Sequence, residues 1–144
     1  ENGSQYGNEW LTGFENTASY KIDSSSGESL VESFYKLYLA TYCSMCSDLN
    51  SKLQSFRLSH LSYTALEQFK KVELENLQDG FGGYDLLITN FDFDSMWFYS
   101  LKVVPLEPDN YQVTYQAGKY THQINIQVAY RDGRYWINAI TGVR

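Results

Sequence analysis

The spacing of apolar residues changes period partway along this chain. Before the glycine cluster Asp79–Gly83 ("DGFGG"), apolar residues recur every three to four positions; from Tyr111 onward they recur every second position. The first spacing is that of an amphipathic helix, the second that of a half-buried strand. Three glycines within Gly80–Gly83 allow the positive backbone angles that a sharp reversal needs. Helices are therefore expected first and antiparallel strands second, the α+β arrangement. No βαβ alternation is visible.

The helical half divides into three. Ser29 and Glu32 have the spacing of a capping box, and Val31, Phe34, Tyr35, Tyr38, Leu39 and Tyr42 follow as one apolar and aromatic stripe. Leu30 and Leu37 widen it, as expected of a helix covered on more than one side. A second helix is expected from about Asp48 to Leu61, with Leu49, Leu53 and Phe56 inward and His60 at a near-apolar spacing. A third follows a break near Ser62. Thr64 and Glu67 offer it a capping box, and Leu66, Phe69, Val72 or Glu73, and Leu77 form its stripe. Residues 1–27, rich in Gly, Ser, Asn and Glu, read as a tail or linker, partly docked through Trp10, Phe14, Tyr20 and Ile22. Residues 28–144 read as a single domain.

In the second half, "SMWFYSLKVV" (95–104) is β-branched and aromatic and reads as a strand. Tyr111, Val113, Tyr115 and Ala117 alternate with polar residues, as do Ile124, Ile126, Val128 and Tyr130. "RDGR", Arg131–Arg134, carries the Asp-Gly of a tight hairpin. The last strand, "YWINAIT", is expected to show Trp136 and Ile140 on one face and Tyr135, Ile137 and Ala139 on the other.

Composition narrows the function. The chain has 144 residues, 43% hydrophobic and 17% aromatic, enough for one real core. A net charge of −6 and a pI near 4.8 argue against a nucleic-acid backbone or an anionic membrane surface as partner. No apolar run approaches the ~18 residues needed to span a bilayer. The sequence starts at Glu1, so any targeting peptide is expected to have been removed beforehand. Cys43 and Cys46 form "CSMC" after a helical pattern, without the further ligands of a zinc site. They read as two small apolar residues near a helix end, with a disulfide as the alternative.

The segment "YDLLITNFDFDS" (84–95) sets three aspartates among Leu, Ile and Phe. Asn90, Asp92 and Asp94 have the spacing of half a calcium loop, but Ser95 stands in place of the turning Gly and Leu101 in place of the closing Glu. A short extended segment fits better, with aromatics buried and carboxylates capping nearby N–H groups or facing water. No metal and no cofactor is expected. The two histidines, His60 and His122, complete no Ser-His-Asp or Cys-His set visible in the sequence.

Three pieces together carry a family resemblance: "LVESFYKLYL" as the opening helix, "YDLLITNFD", and "VAYRDGRYWINAI" as the closing hairpin. In this order they resemble a family of small extracytoplasmic bacterial domains of unknown function, over roughly residues 30–142. That family is similar to the nuclear-transport-factor-2-like, or cystatin-like, superfold. The resemblance implies a long helix and two shorter ones packed into a strongly curved antiparallel sheet, forming a cone. It also implies a periplasmic or cell-surface lipoprotein setting. In such cones the open end of the sheet is a pocket, and Tyr84, Asp85, Asp92, Trp97, Tyr115 and Trp136 are the candidate lining residues. No catalytic residue is assigned. The leading expectation is a non-catalytic module binding a small molecule or a protein. The alternative is an isomerase or dehydratase using a pocket Asp with a Tyr. Homodimerisation through the exposed, tyrosine-rich sheet face is a third expectation.

Overall fold

The computed structural model describes residues 21–44, 47–80, 85–89 and 94–143. The first helix, α1 (Gly27–Ser44), is capped by Ser26, whose Oγ accepts the Ser29 N–H at 3.1 Å and whose carbonyl accepts the Leu30 N–H at 3.0 Å. The expected Ser29–Glu32 box does not form, because the helix starts earlier; Glu32 pairs with Lys36 instead, at 3.6 Å. Gly27 permits the early start. A Cβ there would lie 2.8 Å from Tyr111 Oη and 2.9 Å from Val128 Cγ2, so only glycine lets the first turn approach the sheet this closely.

Leu30, Val31, Phe34, Tyr35, Tyr38 and Leu39 of α1 are all buried, as their spacing predicts. The second helix, α2 (Leu49–His60), buries Leu53 and partly buries Leu49 and Phe56. His60 lies 5.8 Å from the Phe34 ring, a packing position. The third, α3 (Tyr63–Gln78), is capped by Ser62, whose Oγ accepts the Ala65 N–H, rather than by Thr64. Phe69 is buried and Leu66 and Val72 pack partly on the core, as their spacing predicts, with Ala65 buried beside them; Leu77 is 59% exposed, contrary to the sequence expectation.

A further correction falls on "SMWFYSLKVV". Ser95–Tyr99 forms a short helix, α4, because Asp94 caps it by accepting the Met96 N–H at 2.9 Å. Local capping here outweighs the β propensity of Trp, Phe and Tyr. The first strand therefore begins only at Lys102.

The sheet is an antiparallel meander in the order β1 (Lys102–Glu107), β2 (Asn110–Ala117), β3 (Tyr120–Arg131) and β4 (Arg134–Val143). The β3–β4 turn has Asp132 at φ 54° and Gly133 at φ 84°, the twist-compatible hairpin that Asp-Gly signals. Val113, Tyr115, Ile124, Ile126 and Val128 face the helices and are buried. Val128 pairs with Ile137 and Ile126 with Ile140, with one register shift between these pairs, at Gln127/Val128, and a second beyond them, at Asn125/Ile126. Asn138 is thereby an extra residue on β4. This bulge restores Ile140 to the same face as Ile137, and both are buried. Trp136, opposite Ala129, lies on the other face, so the expected pairing of Trp136 with Ile140 is wrong. Alternation alone cannot reveal a residue that breaks it.

The helices α1, α2 and α3 pack against this sheet, with α1 in contact with all four strands. The outer edge of β4 is covered by the α2–α3 corner. Leu61 bridges Ile137, the Ser62 N–H donates to the Ile137 carbonyl at 2.8 Å, and Arg134 donates to the Ser59 carbonyl. The Gln68 side chain then acts as one more strand residue. Its Nε2 donates to the Ile140 carbonyl at 2.6 Å, and its Oε1 accepts the Ile140 N–H at 2.9 Å.

Candidate functional site

The helix stripe that reads as plain core carries three phenolic hydroxyls, at Tyr35, Tyr38 and Tyr42. A buried hydroxyl must find a partner. All three reach one short segment, Asp85–Thr89, which is itself buried. Tyr38 donates to Asp85 Oδ2 at 2.6 Å and Tyr42 donates to the same oxygen at 2.5 Å. Tyr35 donates to the Leu87 carbonyl at 2.7 Å, and Tyr115 reaches the Ile88 carbonyl from the sheet side. The other carboxylate oxygen, Oδ1, accepts the Leu87 N–H at 2.9 Å in a local turn. Thr89, a β-branched residue, is at φ 50°, and its buried Oγ1 has no hydrogen-bond partner among the described residues.

Arg57 extends this cluster toward the surface. Its Nη1 donates to Tyr38 Oη at 2.7 Å, and its guanidinium lies 4.4 Å from the centre of the Phe69 ring. Tyr38 thus accepts from a cation and donates to an anion, relaying charge between groups on α2 and the Asp85 segment. Asp85 is 4% exposed. Burial raises its pKa above the usual carboxylate value; the Tyr38 and Tyr42 hydroxyls, the Arg57 charge and the Leu87 N–H oppose that rise. Burial also holds Tyr35 and Tyr38 well above the usual phenol value, so both keep the protons they donate.

Of the candidate pocket residues, Asp85 lies in the 85–89 segment, Tyr115 reaches it at the Ile88 carbonyl, and Trp97 packs on Tyr115. The Trp97 and Tyr115 rings lie 4.8 Å apart and both are buried. Trp136 does not join them. It is on the opposite face of the sheet, where Arg134 stacks on its ring at 3.6 Å and its Nε1 donates to the Arg131 carbonyl at 3.0 Å. Tyr84 and Asp92 lie outside the described residues, as does Asn90. Asp94, the third carboxylate of the segment, caps α4.

Sequence reasoning found Asp85 but missed Tyr38, Tyr42 and Arg57. The signal was present in the hydroxyls on a face that had to be buried. Other reactive groups are subdued. Cys43 is buried and free, its thiol pushed up to about 12 by burial and then by Asp94, so it is no nucleophile at neutral pH. Cys46 lies outside the described residues. Among the described residues no three His, Cys, Asp or Glu side chains gather where they could hold a metal ion, and no helix is long and apolar enough to cross a membrane.

On the surface above Arg57, α2 and α3 form a groove of 310 Å3. Phe69 and Leu66 lie in it, with Leu58 and Tyr63 at its rim and Glu67, Lys70 and Glu73 along α3. It is the place where the buried cluster meets solvent through a charged side chain.

No protein-family model matches the chain, and no curated protein matches it either. Among solved structures, the chain is similar to a protein of unknown function from Bacteroides thetaiotaomicron. The TM-score is 0.68 and the identity 24%, over 81% of this chain and 88% of the other. That likeness shows the fold: helices packed on a four-stranded antiparallel sheet.

Proposed function

We propose that this chain is a non-catalytic binding module of an exported bacterial protein, with a nuclear-transport-factor-2-like fold. The fold reading draws on the long α1 in contact with every strand, the two shorter helices beside it and the bulged β4. The extracytoplasmic setting draws on the motif resemblance alone.

One observation carries the functional reading. Asp85, the carboxylate best placed for acid–base work, has both oxygens engaged by hydroxyl and amide donors and is buried beneath them. A general base must reach the proton it abstracts, and here Tyr38, Tyr42 and Leu87 hold those positions. The interior around it is filled by Tyr35, Tyr38, Leu87, Ile88 and Tyr115, each under 2% exposed. The accessible chemistry lies outside, in the α2–α3 groove.

A second reading has one support. The Tyr42 hydroxyl is only half-buried, and with Asp85 it forms an Asp–Tyr pair of the kind an isomerase or dehydratase uses. The two readings separate in a turnover screen with mixed small carbonyl and hydroxy compounds. The module reading predicts no turnover. Turnover abolished by Asp85→Asn, in a variant that still folds, would replace it with the enzyme reading.

A further inference from the structure

The helix α3 carries two apolar stripes, and a single-domain core needs only one. The inner stripe, Ala65, Phe69 and Val72, packs on the sheet side. The outer stripe runs through Tyr63, Lys70, Leu74 and Leu77, all close to one line on a helical projection, while Leu66 lies between the two stripes and is partly packed on the core. Tyr63 is 75%, Leu74 50% and Leu77 59% exposed, and Leu58 of α2 widens the patch at 59%. A contiguous apolar patch rimmed by charge marks an interaction surface.

The charges along that stripe indicate the partner. Glu67 and Lys70 border grooves on both sides of the helix, and neither makes an ion pair among the described residues. Set two copies of α3 antiparallel about a two-fold axis, with Glu67 of each against Lys70 of the other. The same register brings Tyr63 against the second copy's Leu74, and Leu74 against its Tyr63. It also carries the second copy's Leu77 to the α2–α3 corner beside Leu58. One register therefore satisfies both charges and covers the apolar positions twice over, the self-complementarity an isologous interface requires.

We propose that α3 is a dimer seam, and that the partner of the α2–α3 surface is a second copy of this chain. The inference rests on the binding-module reading in taking that surface as the working one, and goes beyond it by naming the occupant. It places the seam on the helical layer rather than on the sheet face. The ridge of one α3 seats in the other copy's α2–α3 groove, the ordinary geometry of helix packing.

Sedimentation equilibrium tests this with the full chain. Wild-type protein should dimerise at sub-millimolar concentration. Lys70→Glu and Glu67→Lys each place like charges together twice and should each weaken the dimer by about tenfold or more. Mixed in equal amounts, the two variants should associate with each other, because each supplies the charge the other lacks. The double variant should self-associate again. A monomeric wild type, a dimer indifferent to both reversals, or two variants that fail to associate on mixing would each overturn the proposal. None of these outcomes bears on the turnover screen, so the dimer and the module reading fail separately.

Discussion

The Asp85 cluster and the outer face of α3 treat polar groups in opposite ways. Inside, a carboxylate, two phenols, a guanidinium and a backbone N–H satisfy one another. Outside, Glu67 and Lys70 remain without ion-pair partners among the described residues, beside leucines half open to water. Burying a polar group is costly unless it is hydrogen-bonded, whereas an exposed charge stays cheaply hydrated. The proposed function draws on that contrast. The Asp85 carboxylate is engaged within the fold, whereas the charges of α3 lie open on the surface.

Substitutions should separate the two regions by size of effect. Asp85→Leu removes the acceptor shared by the Tyr38 and Tyr42 hydroxyls and the partner of the Leu87 N–H. At about 1 kcal/mol for each lost partner, a loss of about 3 kcal/mol is expected in urea unfolding. A loss below about 0.5 kcal/mol would mean the cluster does not support the fold. Gly27→Ala forces a methyl group against Tyr111 and Val128 and should cost about 2 kcal/mol through overpacking, read as a lower thermal midpoint.

Gln68→Ala removes the amide that closes the β4 edge and should cost about 1 kcal/mol. Hydrogen exchange should locate that effect, with the Ile140 amide exchanging faster while Ile126 is unchanged. The pH dependence tests the inner cluster without changing packing. Because burial raises the Asp85 pKa above 3.8, the folded protein keeps a proton that the unfolded chain has lost. The Asp85 contribution is therefore complete at pH below that value and declines as pH rises through the window above it. Unfolding curves for Asp85→Asn, compared with wild type across that window, should lack this decline. The smallest effect is expected outside: Leu74→Glu should change stability by less than about 0.5 kcal/mol while abolishing self-association.

The sequence made the architecture legible because helical and strand periods are properties of consecutive residues. The α1 stripe, the inward faces of β2 and β3 and the Asp-Gly hairpin could all be read locally. The caps could not be placed as easily. Several Ser and Thr residues compete near each helix start, and the choice of Ser26 depends on how closely Gly27 approaches Tyr111. The β4 bulge was invisible because an extra residue such as Asn138 is stabilised by its neighbours, Gln127 and Ser62, from distant parts of the chain. The Asp85 cluster was half legible. A lone Asp among Leu and Ile indicates an unusual environment, but joining it to Tyr38 and Tyr42 requires contacts across more than forty residues.

Asp85 serves the fold through Tyr38 and Tyr42. A double-mutant cycle between Tyr38→Phe and Asp85→Ala, followed by equilibrium unfolding, addresses it most directly. A coupling of about 1 kcal/mol or more between the two sites is expected. Strict additivity would contradict it.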